Sequence, residues 1–178
     1  FGVTGVFSFY PTKQITTGEG GAVITNNKNL YKKIKRLKAF GIDKDIKDRK
    51  KQGDYDVLDL GYNYRMTDFQ AALGYKQILK YPKNLLIRHR IAKRYIKNLK
   101  SFKKIFFPTY SKNNSYFVFQ IFCKNRDFVL KQLQFNGIGV SVHYTNPLPL
   151  MTYYKKKYKY NKKDIKNASI YGSTNISL

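Results

Sequence analysis

The sequence has one cysteine, two histidines, five prolines and only ten acidic residues, set against 35 lysines and arginines in 178 positions. Cys123, the single thiol, lies in the apolar run YFVFQIFC and has no partner for an internal disulfide. No Cys/His spacing suited to a metal is present either, so no metal is expected and the chain fits a reducing compartment, the cytoplasm. No apolar run approaches the ~20 residues that cross a bilayer, and no signal-peptide pattern is visible, so no membrane partner is expected. The chain opens on Phe1 without a methionine and stops at NISL; both ends read as cut. No internal repeat is evident.

The formal charge of +25 raises the question of an anionic partner. Most of the basic residues are lysine, they run the length of the chain, and they are interleaved with Asn, Ile, Tyr and Phe. No basic-aromatic recognition module stands out, so the pattern reads as solvent faces and nucleic acid is not expected as a partner. A non-catalytic basic binding module remains the alternative from a different functional class. Such a module would bind polyanions with steep salt dependence.

Along the chain, FGVTGVFSF reads as a strand ending near Phe9, TTGEGG as a turn and AVIT as a second short strand. NNKNLYKKIKRLKAFG has Leu30, Ile34 and Leu37 on one stripe and Gly41 as a left-handed stop, which predicts an amphipathic helix. Residues 42–56 are polar and read as a long surface loop, a candidate lid or crossing segment. Thr67 and Gln70 form a capping box, so a helix is expected from that point, with Asn63, Tyr64 and Arg65 just before its N-terminus. Pro82 is expected to end that helix and start another whose stripe is Ile87, Ile91, Tyr95 and Leu99. After Pro108 the pattern becomes a strand (SYFVFQIF), a capped helix stopped by Gly137 and a second strand (IGVSVHY). A basic loop and a weak helix complete the chain. The change of pattern places a domain boundary at Pro82, between residues 1–82 and 83–178.

Lys13 follows an apolar strand and precedes a glycine turn, which points it into a cleft rather than out to water. A lysine that attacks a carbonyl must be unprotonated part of the time, which requires a low-dielectric pocket or a nearby positive charge. Ser8 supplies a hydroxyl suited to a phosphate. These residues alone leave a catalytic lysine and a solvated one both open. Glu19 reads as part of the turn rather than as an acid catalyst, and His89, on a Lys/Arg-rich helix, as solvent-facing.

SFYPTKQITTGEGGAVIT resembles the cofactor-lysine signature of the DegT/DnrJ/EryC1/StrS family of pyridoxal-phosphate-dependent nucleotide-sugar aminotransferases. LGYNYRMTDFQAALGYKQ and GIGVSVHYTNPLPLMTYY resemble the family's second and third motifs, in order. The resemblance implies an α/β chain of type I aminotransferase fold: the later part of a large cofactor-binding domain (1–82), then a connecting helix and most of a small α/β domain (83–178). It implies that Lys13 holds pyridoxal 5'-phosphate through its amine and shuttles a proton, and that Ser8 binds the cofactor phosphate. Asn63 matches a residue that reaches the neighbouring subunit's cofactor phosphate, which implies a homodimer with shared sites. Arg65, His143 and Tyr144 match substrate-binding positions. The implied reaction passes an amino group, from glutamate as donor, to a nucleotide-linked keto-deoxysugar, feeding surface polysaccharide, lipopolysaccharide or glycan synthesis.

Two positions depart from the family pattern. Pro149 stands where a histidine is common, and Ser169 where an acid is common; both bear on substrate identity. The family's aspartate for the pyridine nitrogen and its ring-stacking aromatic have no match in this sequence, so the chain alone is expected to be inactive. A sugar dehydratase of the same fold is the nearest alternative, but relatives of that kind carry histidine at the Lys13 position. An inactive fragment or a decayed gene product is the remaining one.

Overall fold

The computed structural model describes residues 2–178. Its contacts divide the chain into two units, Phe1–Pro82 and Lys83–Leu178.

In the first unit, β1 (Thr4–Ser8) and β2 (Gly21–Thr25) pair antiparallel with Ser8 opposite Gly21. The residues between them form a loop closed at its base: Phe9 N–H donates to Gly20 O at 2.9 Å, and Phe9 O accepts from Thr17 N–H at 3.0 Å. α1 (Lys28–Leu37) starts at Asn27, whose Oδ1 accepts from the N–H groups of Asn29 and Leu30, as an N-cap does.

Gly41 has the expected left-handed φ of +73°, but α1 has already ended at Leu37. The free carbonyls of Leu37 and Lys38 are taken by the N–H groups of Tyr62 and Tyr64, at 2.7 and 2.9 Å. The chain beyond α1 thus lies against residues 57–64, with bridges Ala39↔Asn63 and Ile42↔Val57. Gly41 still helps to stop α1, because its N–H donates back to Arg36 O at 3.0 Å, and it is also a point of close approach: a Cβ there would lie 1.8 Å from Asp59 O. The stretch expected as one long loop therefore has its ends paired and carries a 3-10 turn at Ile46–Asp48.

The capping box forms as expected. Thr67 N–H donates to Gln70 Oε1 at 3.1 Å and Gln70 N–H to Thr67 Oγ1 at 3.3 Å. α2 (Asp68–Leu99) then runs through Pro82, which corrects the expectation of a break. Proline costs a helix one hydrogen bond and some crowding, about 3 kcal/mol, and packing along the helix outweighs this. Tyr81 is tied to Gln14 on one side of the proline, and Ala92, Tyr95, Ile96 and Leu99 pack into a core on the other.

The second unit holds the buried core: Ala92, Tyr116, Phe119, Ile121, Cys123 and Ile176. Its centre is β3 (Gln120–Phe122), paired antiparallel with β4 (Asn175–Ser177). Phe106 bridges the other edge of β3, and Ser141 bridges the other edge of β4. α3 (Arg126–Phe135), α4 (Thr152–Tyr158) and α5 (Lys166–Thr174) complete the unit.

Three expectations are corrected here. The strand expected over SYFVFQIF shrinks to its last three residues, because Tyr116 has φ +47° and its N–H is taken by Asn114 Oδ1, which makes a turn of the first half. IGVSVHY is no strand; only Ser141 pairs, through two bonds to Ser177 of 3.1 and 2.8 Å, since β4 is only three residues long. The segment read as a basic loop contains α4, and the chain's last residues include a fully buried strand. Arg126, 7% exposed, ties that strand in: its Nη1 donates to Gly172 O at 3.2 Å and Asn175 O at 3.5 Å.

Candidate functional site

Lys13 lies in the β1–β2 loop, solvent-exposed, in a turn in which its N–H donates to Tyr10 O at 2.9 Å. Ser8 closes β1, and its Oγ accepts from Tyr10 N–H at 3.3 Å. The two expected cofactor residues therefore flank one short turn and are linked through Tyr10. Because Ser8 Oγ acts as acceptor in that bond, its own proton stays available to a ligand.

The far side of the loop is fixed to α2. Glu19 O accepts from Thr17 Oγ1 at 2.7 Å and from Gln70 Nε2 at 3.0 Å. Tyr81 Oη donates to Gln14 Oε1 at 3.1 Å. Thr17 is buried against Gly74, where a Cβ would meet Thr17 Cγ2 at 2.9 Å. Gly20, at φ +139°, closes the turn where a side chain would strike Thr17 Oγ1 and Met66 Cε. Glu19 thus serves the turn, as expected, and does so through its backbone carbonyl. The clamp made by Gln70, Gly74, Thr17 and Tyr81 escapes a reading of the sequence; only Gln70 carries a visible signal, and that signal speaks of a helix cap.

Asn63, itself bridged to Ala39, sits with Arg65 at the end of the paired segment, with Arg65 Nε donating to Asn63 Oδ1 at 3.3 Å. The Arg65 guanidinium lies 4.9 Å from the centre of the Phe40 ring. Tyr64 stacks on Tyr62 with ring centres 5.1 Å apart. Arg65 also lines a cavity of about 690 Å³ with α1 and residues 42–49, and neither Ser8, Lys13 nor Asn63 belongs to that lining.

Ion pairs rim this cavity: Lys35 with Asp45, and Lys44 with Asp54 at 3.1 Å. The Asp56 N–H on Asp43 and the Lys35 ammonium on Asp45 hold both carboxyls below their usual range. Asp45 raises Lys35 and Asp54 raises Lys44.

In the second unit, His143 is anchored from three sides. Its N–H donates to Asn175 Oδ1 at 3.1 Å, its carbonyl accepts from Gln120 Nε2 at 3.5 Å, and its Nδ1 is 2.9 Å from Ser177 Oγ. Tyr144 is exposed and meets the His143 ring edge to face, centres 5.4 Å apart. Both line a cavity of about 440 Å³ with Asn146, Leu148, Asn167 and Tyr171. Asn175 and Ser177 escape the sequence pattern because they fall where it shows only a weak helix and a loose end. His89 is half-buried: its Nδ1 is 3.0 Å from Tyr110 Oη, and the rings of Tyr110 and Tyr116 meet it edge to face. Among the described residues no cluster of His, Cys, Asp and Glu could hold a metal, and no helix is long and apolar enough to cross a membrane.

The model of the DegT/DnrJ/EryC1/StrS aminotransferase family matches residues 1–178. An uncharacterised protein of Methanocaldococcus jannaschii is 36% identical over 99% of the chain and 48% of its own length. The UDP-4-amino-4,6-dideoxy-N-acetyl-beta-L-altrosamine transaminase of Campylobacter jejuni strain 81-176 is 40% identical over 85% of the chain and 40% of its own length. The structure of Helicobacter pylori PseC, an aminotransferase involved in the biosynthesis of pseudoaminic acid, superposes with a TM-score of 0.88 at 29% identity, covering all of this chain and 48% of PseC. The chain spans about half the length of the relatives it matches.

Proposed function

The chain belongs to the DegT/DnrJ/EryC1/StrS aminotransferase family, and from that premise we propose that it carries the lysine-bearing part of a pyridoxal-phosphate-dependent nucleotide-sugar aminotransferase. The observation that carries the reading is Lys13 on a turn shared with Ser8 and clamped to α2 by Gln70 and Tyr81. The donor set fits pyridoxal 5'-phosphate: an amine for the aldehyde, with the Ser8 hydroxyl and the Asn63 amide as neutral donors for the phosphate. When bound, that cofactor supplies the electron sink that makes a carbon-bound proton acidic.

Lys13 then has two tasks, holding the cofactor through Nζ and moving the proton at the substrate carbon. The clamped turn limits the positions that Nζ can take, and pre-set geometry of this kind is where positioning lowers a barrier. Asn63 serves the cofactor phosphate of a second subunit, so the active form is a homodimer. Arg65 meets the substrate phosphates, and His143 and Tyr144 meet the sugar. Residues 1–82 belong to the large domain and 83–178 to the small one. Glutamate donates the amine, the acceptor is a UDP-linked keto-deoxysugar by likeness to the named Campylobacter relative, the product serves lipopolysaccharide or related glycan synthesis, and the compartment is the cytoplasm.

Borohydride reduction of the full-length protein loaded with pyridoxal phosphate, followed by peptide mass analysis, tests the reading. A pyridoxyl adduct on the Lys13 peptide is expected; an unmodified peptide, or label only on another lysine, overturns it.

A further inference from the structure

The surroundings of His143 decide which of its ring nitrogens carries the proton. Ser177 is 4% exposed, and among the described residues its Oγ has one partner, His143 Nδ1 at 2.9 Å. A buried hydroxyl must place its proton, because an unplaced donor has given up water with nothing in return. If Nδ1 carried a proton and donated to Ser177 Oγ, the serine proton would have no acceptor. If Ser177 donates to a bare Nδ1, both groups are satisfied by one bond. The neutral ring then keeps its proton on Nε2.

The backbone beneath the ring is held as firmly. Asn175 is 0% exposed, accepts the His143 N–H at Oδ1 and donates from Nδ2 to Tyr171 O at 2.8 Å. The cavity that His143 lines is also unusual for a chain of net charge +25: its lining, which includes Tyr144, Asn146, Asn167 and Tyr171, contains no Lys, Arg, Asp or Glu. A phosphate would be poorly matched there, whereas neutral donors and two amides suit the hydroxyl, ring or acyl oxygens of a sugar.

We propose that Ser177 and Asn175 are positioning residues that hold His143 as its Nε2–H tautomer, presenting a hydrogen-bond donor to an uncharged oxygen acceptor of a sugar in the adjoining cavity. The identity of that ligand rests on the aminotransferase reading; the tautomer does not.

The test uses the full-length protein labelled with 15N-histidine, with His143 assigned through His143→Gln and its tautomer read from long-range proton–nitrogen correlations. The native protein is expected to show Nε2–H. Ser177→Ala should shift the ring toward a mixture with Nδ1–H, while Ser177→Thr, which keeps the hydroxyl, restores the native pattern. With the nucleotide-sugar substrate, Ser177→Ala should raise KM about two- to tenfold with kcat little changed. A native Nδ1–H form, or a Ser177→Ala spectrum identical to the native one, overturns the proposal. If Lys13 took no pyridoxyl label, the enzyme reading would fail, while the tautomer would still stand or fall on the spectrum alone.

Discussion

Gln70 serves two structures at once, and substitution can separate them. Its Oε1 accepts from Thr67 N–H and Thr67 Oγ1, which caps α2, while its Nε2 donates to Glu19 O, which holds the Lys13 loop. Gln70→Ala removes all three bonds. They are exposed, so each counts at the low end of the usual range, and the loss totals about 1–1.5 kcal/mol, a Tm decrease of about 2–6 °C.

Gln70→Glu is the discriminating variant. The carboxylate still accepts from Thr67 and suits the positive end of a helix, so stability should stay within about 0.5 kcal/mol of native. It has no proton for Glu19 O, however, and its charge faces that carbonyl. The loop clamp is lost while the cap remains, and about 0.5 kcal/mol lost from the lysine-bearing loop corresponds to roughly twofold weaker retention of pyridoxal phosphate. Thermal unfolding measures the first effect, and titration of cofactor absorbance in the full-length protein measures the second. Native cofactor affinity in Gln70→Glu, with its Tm unchanged, would refute the claim that this bond positions Lys13.

Gly41→Ala should cost roughly 3 kcal/mol, seen as a Tm decrease of about 6–12 °C or loss of soluble protein, because the Cβ would lie 1.8 Å from Asp59 O at a φ of +73°. Asp43 and Asp45 have lowered folded-state pKa values, so their contribution is present above the unfolded carboxylate range and lost as pH falls through the folded values. Asp45→Asn should therefore flatten the acid limb of a Tm-against-pH profile, modestly and less at high salt, because the pair is exposed. Lys35 and Lys44, raised by their partners, act in the opposite sense: their contribution is present below the ordinary lysine range and lost as pH climbs through the raised values. Burial raises the Cys123 thiol, so a disulfide reagent at neutral pH should label the native chain slowly and the denatured chain at once; fast native labelling would contradict the packed core.

The elements legible in the sequence are those whose cause is local. The β1–β2 hairpin, the α1 stripe of Leu30, Ile34 and Leu37, and the box of Thr67 and Gln70 each depend on residues near one another in the chain. The corrections have distant causes. Pro82 is tolerated because of the bond from Tyr81 to Gln14 and the face made by Ala92, Tyr95 and Leu99, contacts that no local window contains. His89 stands on a helix rich in Lys and Arg, a setting that speaks of solvent alone, yet Tyr110 and Tyr116, more than twenty residues on, also meet its ring. The same distinction applies to the site. Lys13 and Ser8 can be singled out from one stretch, whereas Ser177 acquires meaning only once β4 brings it to a histidine 34 residues earlier.

The distribution of burial bears on where Lys13 could act. A lysine used as a nucleophile needs a low-dielectric pocket or a nearby positive charge, and Lys13 is exposed among the described residues. The hairpin that carries it is apolar but uncovered: Val6 is 77% exposed, and Phe7, Val23 and Ile24 are exposed with it. Two strands without a covered face are marginal in water, so these side chains call for a wall that the described residues do not supply. Such a wall, laid on the hairpin, would remove water from both the apolar strands and the turn at their end. Covering the apolar hairpin and drying the turn that carries Lys13 are then one requirement, and the bonds from Gln70 and Tyr81 of α2 hold that turn in place.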